Sequence, residues 1–96
     1  MQRSIDVIRV EGEMIKARGL VQGGPQDWEA EVRLFFVGDR DYMRGLEGTV
    51  DLVMETVTEE QMLLQGRAEI VELPGDISNP VRFKGVGPLV EPARTR

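Results

Sequence analysis

The chain has no cysteine and no histidine. The first absence excludes disulfide stapling, thiolate chemistry and cysteine-based zinc sites. The second removes the commonest general base and the commonest metal ligand. Serine occurs only as Ser4 and Ser78, and aromatic residues make up 5% of the sequence. Long apolar runs are missing too. The longest candidate, Leu34-Phe35-Phe36-Val37, is four residues, against the ~20 needed to cross a bilayer. The opening Met1-Gln2-Arg3-Ser4-Ile5-Asp6 has no apolar signal region. The expectation is therefore a soluble, cytosolic protein with no secretion signal and no membrane partner.

What remains is an ordinary globular composition. The 96 residues are 41% hydrophobic and 30% charged, which fits a folded domain rather than a disordered chain. One domain spanning residues 1–96 is expected, with a small core. Net charge is −5. That argues against a surface devoted to nucleic acid, where phosphate binding needs clustered positive charge. Of the 12 basic residues, all but Lys16 and Lys84 are arginine. Arginine holds planar, bidentate ion pairs better than lysine does.

Alternation with period two marks strands. In "WEAEVRLFFV", residues 28–37, Trp28, Ala30, Val32, Leu34 and Phe36 share one face. Both Trp28 and Phe36 are expected in the core. Glu29, Glu31 and Arg33 take the other face until Phe35 and Val37 break the rule. Gly23-Gly24-Pro25 cannot continue a strand, so Met14–Val21 should pair with Trp28–Val37 as an antiparallel hairpin. Ile5–Val10 is the first strand, followed by a tight turn at Glu11-Gly12-Glu13. A short helix over about 40–47 is expected, capped by Asp39 or Asp41, with Met43 and Leu46 inward and Gly48 closing it.

Residues 49–57 alternate again, with Val53 and Val57 on the polar side. "TEEQ", residues 58–61, is a turn. Residues 62–73 form the longest strand candidate, preferred over a helix because Gly66 sits in mid-segment, where a bulge or close backbone approach is expected. "LPGDISNP", residues 73–80, is a loop before the last strand, Val81–Val86. Loose ends are expected at 1–3 and 91–96. The sum is a mainly β fold: an antiparallel β-sandwich or small barrel of about six strands, with one short helix between strands three and four. Several strands are apolar on parts of both faces. Phe35, Val53 and Val71 therefore need a cover from a helix or a neighbouring subunit.

No catalytic, cofactor-binding or metal-binding residue is assigned. Asp39-Arg40-Asp41 offers two carboxylates, but helix capping and a local salt bridge account for them. The Gly-rich stretches at 23–25 and 85–87 lack the following Lys-Ser or Lys-Thr of a phosphate cradle. An enzyme would need converging carboxylates, which alternation does not supply. A small β-barrel binding module for a peptide or nucleic acid would need an exposed aromatic platform.

"GRAEIVELPGDISNPVRFKGVGPL", residues 66–89, resembles the C-terminal part of major tail tube proteins of long-tailed phages. There a strand following a glycine leads through a loop into a last strand of the type F-x-G-x-G-x-L, here Phe83, Gly85, Gly87 and Leu89. The resemblance implies a β-sandwich or barrel with a flanking helix, related to the type VI secretion inner-tube protein. It also implies a non-enzymatic structural protein that self-assembles into rings, typically hexamers, as part of a tail tube or head–tail connection. Its partners would be itself and other phage structural proteins, with DNA only as passing cargo and no cofactor. It would reside in the virion, or in the cytoplasm before assembly. On this reading Phe83, Gly85 and Gly87 join Phe35, Val53 and Val71 as candidate interface residues.

Overall fold

The computed structural model describes residues 2–57 and 62–91. The expected turn at 58–61, Met1 and residues 92–96 lie outside the described residues. The elements are β1 (Gln2–Val10), β2 (Glu13–Gly23), β3 (Trp28–Leu34), α1 (Val37–Arg44), β4 (Thr49–Thr56), β5 (Leu63–Glu72) and β6 (Val81–Gly85). The strands close into an antiparallel barrel in the order β1-β2-β3-β6-β5-β4. Of the two architectures open from the sequence, the barrel is the one formed. The closing pair is β1 with β4, where Ile8 faces Met54 and Val10 faces Leu52.

Alternation decides which side chains fill the barrel. Ile5, Ile8, Val10, Ile15, Ala17 and Val21 come from the first hairpin, and Trp28, Ala30, Val32 and Leu34 from β3. Val50, Leu52, Met54, Leu64, Ala68, Val81 and Phe83 complete the packing. A barrel this small is filled by its own side chains and has no channel. The turn between β1 and β2 is two residues long. Glu11 and Gly12 both have positive φ (51° and 84°), the conformation that matches a hairpin's twist.

Each end of the barrel is plugged. At one end α1 lies across the opening. Its Met43 is buried, and the Tyr42 hydroxyl donates to the Val10 carbonyl at 2.9 Å. At the other end Trp28 lies over two glycines. A Cβ on Gly66 would stand 2.7 Å from the indole, and one on Gly85 would stand 2.4 Å from it. The indole N–H donates to the Gly87 carbonyl at 2.9 Å, and Leu89 closes over the site. The F-x-G-x-G pattern thus has a reason inside one molecule. Phe83 fills the barrel, Gly85 makes room for the indole, and Gly87 accepts its hydrogen bond.

Several boundaries differ from expectation. β3 ends at Leu34 and α1 starts at Val37, three residues before the expected 40. Phe36 is the N-cap, and no side chain caps the helix; Asp39 sits inside its first turn instead. Phe36 therefore leaves the alternation and is exposed rather than in the core. Gly48 has the expected positive φ, 69°, but in the turn into β4, three residues past the helix C-cap at Gly45. Gln2 and Arg3, expected to be loose, pair with Gln22 and Val21 of β2. Among the described residues, no helix is long and apolar enough to cross a membrane.

The indole seat is testable with two glycines of opposite standing. Gly85→Ala forces its methyl into the ring and is expected to destabilise by about 1–3 kcal/mol, as overpacking does. Gly87→Ala meets nothing within 4 Å, and should change stability by less than about 0.5 kcal/mol. Urea unfolding followed by Trp28 fluorescence reads both.

Candidate functional site

The outward residues of β1, β2 and β3 form the most unusual surface of the barrel. On β2, Met14, Lys16 and Arg18 alternate outward with the buried Ile15 and Ala17. Ala17 pairs with Leu34 and Arg18 with Arg33, so Arg18 and Arg33 stand directly opposite each other on the outer side. Like charges so placed repel. Two residues further on, the Lys16 ammonium lies 5.9 Å from the centre of the Phe35 ring, within reach of a cation–π attraction. Arg9 of β1 pairs with Met14. Arg9, Lys16, Arg18 and Arg33 have no carboxylate of a described residue within 4.0 Å.

The apolar side chains gather at the α1 end of this face. Phe35 is 44% exposed, Phe36 60%, Val37 49% and Met14 60%. Three of these are consecutive in the chain. The chain is turning from β3 into α1 there, so no strand face holds them inward. Glu13 and Asp39 border the cluster. Burial, and then the nearby Glu13 charge, raise the Asp39 carboxyl above its ordinary value.

On the rest of the outer wall several charges are matched. Arg82 on β6 reaches Glu72 at 3.2 Å and Glu31 at 3.7 Å. They flank a shallow depression of about 230 Å³ whose apolar lining includes Leu20 and Val71. Lys84 pairs with Asp27 at 2.7 Å, and the shared hydrogen bond lowers the Asp27 pKa and raises that of Lys84. Arg67 bonds both Asp51 and the Thr49 hydroxyl. In the loop before β6, Asp76 accepts from the Ser78 hydroxyl and amide and from Asn79, which lowers its pKa. Arg40 of α1 donates to the Gly75 carbonyl and lies 3.7 Å from Asp41. No cluster of three carboxylates with metal-binding spacing occurs among the described residues.

The candidate interface residues are scattered by this geometry. Phe35 lies in the exposed cluster. Val71 is exposed at a register shift of β5, beside the depression under Arg82. Val53 is half-buried on the outside of β4, beside Arg9. Phe83 is 1% exposed and belongs to the barrel interior. Gly85 and Gly87 belong to the Trp28 seat. Alternation did not single out Phe36 and Met14, or the opposition of Arg18 and Arg33. The exception to alternation at Phe35 and Val37 was the one available signal. The chain matches no family model, no curated protein and no solved structure.

The raised Asp39 pKa has a defined sign. A carboxyl that holds its proton more tightly when folded favours the folded state at low pH. Stability should fall as pH rises from the ordinary aspartate value through the raised one. Glu13→Gln removes the second cause of the shift. The Asp39 midpoint, followed by carboxyl-carbon NMR, should move down without reaching the ordinary value, because burial remains.

Proposed function

We propose that this is a non-enzymatic structural barrel that assembles with copies of itself, as a component of a phage tail tube or of the head–tail connection. The observation that carries the reading is the exposed run Phe35-Phe36-Val37, with Met14 also exposed on β2, standing on a barrel whose core is already complete. Exposed apolar side chains scattered singly need no explanation, but a contiguous group marks a contact surface. The order of three strands, a helix and three strands supports the tail-tube resemblance. The glycine motif lends it less support, because the Trp28 seat accounts for Gly85 and uses the backbone carbonyl of Gly87.

Closure changes how copies would meet. In an open sandwich, neighbours could cover the strand edges, and a closed barrel has none. Contact must then be made through outward side chains. The barrel interior is filled, so any channel for passing DNA would lie between subunits.

A second reading has one specific observation behind it. Exposed phenyl rings beside arginines that no described carboxylate pairs are what a binding module for single-stranded nucleic acid uses. The net charge of −5 weighs against it.

Sedimentation velocity over a wide concentration range separates these readings. The wild-type protein should show a mass that rises with concentration. Phe35→Ser with Phe36→Ser removes two exposed rings without touching the core. It should keep the fold and weaken association at least about tenfold, as loss of a central aromatic contact does. A wild type that stays monomeric at millimolar concentration, yet retains a labelled oligonucleotide, would exchange the first reading for the second.

A further inference from the structure

Among the described residues, cations without an ion-pair partner gather around β2 and carboxylates without one around β4 and β5. In the closed order β1-β2-β3-β6-β5-β4, β2 and β5 are three strands apart, half the circumference. The flank centred on β2 presents Lys16, Arg18 and Arg33 with no carboxylate of a described residue within 4.0 Å, while Asp6, Glu29 and Glu31 occupy other levels of the neighbouring strands and Arg9 stands at the seam with β4. The flank formed by β4 and β5 presents Asp51, Glu55 and Glu69 on its outward rows. Arg67, the cation between them, is engaged by Asp51 at 2.9 Å. Glu55 and Glu69 have no cation of a described residue within 4.0 Å. Each flank also carries apolar side chains: Met14 and Phe35 on the basic one, Val53 and Leu63 on the acidic one.

We infer that the β1–β2–β3 flank of one copy docks on the β4–β5 flank of the next, head to tail. The inference rests on the self-assembly reading and names its two surfaces. Charge selects this pairing over the alternatives. Two basic flanks face to face would set Arg18 and Arg33 against their own copies, a like-charge contact that costs heavily at an interface. A nucleic acid would meet the basic flank too, but the acidic remainder of the molecule would repel it. The acidic flank of a second copy offers fixed carboxylates for the arginines and apolar surface for Phe35.

A head-to-tail contact has a structural consequence. Each copy bound leaves one free flank of each kind, so growth continues until a ring closes or a filament extends. The two flanks are on opposite sides of a barrel measuring 35 × 25 × 22 Å overall. A slight rotation at each contact therefore sets whether the chain of copies closes.

Charge exchange tests the pairing on the full-length protein. The variant Arg18→Glu with Arg33→Glu makes both flanks acidic. The variant Glu55→Lys with Glu69→Lys makes both flanks basic. All four side chains point outward, and circular dichroism with thermal melting verifies the fold of each variant. Each variant alone should associate at least tenfold more weakly than wild type, and raising salt to about 1 M should weaken the wild type by screening. An equimolar mixture of the two should assemble again, because every contact then joins an acidic flank to a basic one.

A mixture that stays monomeric, or single variants that assemble like wild type, overturns the head-to-tail pairing and leaves self-assembly standing. A wild type that never assembles overturns both readings. A wild type that binds labelled oligothymidine while the Arg18→Glu, Arg33→Glu variant does not assigns the basic flank to nucleic acid and also overturns the pairing.

Discussion

The fold depends on fitting one indole into the end of a closed six-stranded barrel. Trp28 opens β3, and its ring extends across the interior to the strands β5 and β6. Any side chain at Gly66 or Gly85 would occupy the space the ring needs. With both glycines in place, the largest side chain of the chain is buried and its N–H satisfied by Gly87. An unpaired buried indole N–H would carry a desolvation cost of about 1–3 kcal/mol, a large share of the stability of a domain this small. The bond to Gly87 also fixes the segment after β6. There Leu89 donates its amide to Pro25, and Val90 exchanges hydrogen bonds with Gln65. The turn before β3 and the segment after β6 are thus held by one side chain.

Closure then determines what the outside can do. In an open sandwich the edge strands offer backbone donors and acceptors to a partner. Here every strand has two neighbours, and β1 is tied to β4 as firmly as to β2 over its second half. Recognition falls to side chains alone. The depression between Leu20 and Val71 is crossed by Arg82 with its two carboxylates, so its charges are largely satisfied within the molecule. On the β1–β2–β3 flank, Lys16, Arg18 and Arg33 have no carboxylate of a described residue within 4.0 Å. Arg18 stands opposite Arg33 across the β2–β3 ladder, an arrangement that favours an approaching anion.

The strands were legible because their buried faces obey strict alternation. Trp28, Val32 and Leu34 could be assigned to the interior from spacing alone, and so could Leu52 and Met54. The choice between barrel and sandwich was not legible. It turns on the β1–β4 pairing, which joins residues more than forty positions apart and leaves no local mark. Phe36 was misplaced because alternation was carried two residues too far; the backbone leaves the strand at Leu34 to begin α1. Phe83, Gly85 and Gly87 drew notice as a motif, but a motif does not say whether its glycines face a neighbour or an indole of the same chain. Of the candidate site, Phe35 was visible as an exception to alternation. The arginine pair was not, because the direct opposition of Arg18 and Arg33 is a fact of register.

Register also explains why a protein with net charge −5 can present a basic face at all. Outward rows on neighbouring strands add side by side, so a few cations at matching levels produce a local field of opposite sign to the whole. Arg9, Lys16, Arg18 and Arg33 lie on three adjacent strands toward the α1 end, whereas Glu29 and Glu31 of β3 lie toward the Trp28 end and Asp6 sits at the irregularity of β1. Long-range attraction follows net charge and is screened within roughly 8–10 Å at ordinary salt. Contact selectivity follows the local pattern. A partner drawn to this face must therefore carry its negative charge in a patch small enough to meet the cations without pressing against the acidic surroundings. A compact protein flank meets that condition better than an extended polyanion, and the β4–β5 wall of a second copy is such a flank.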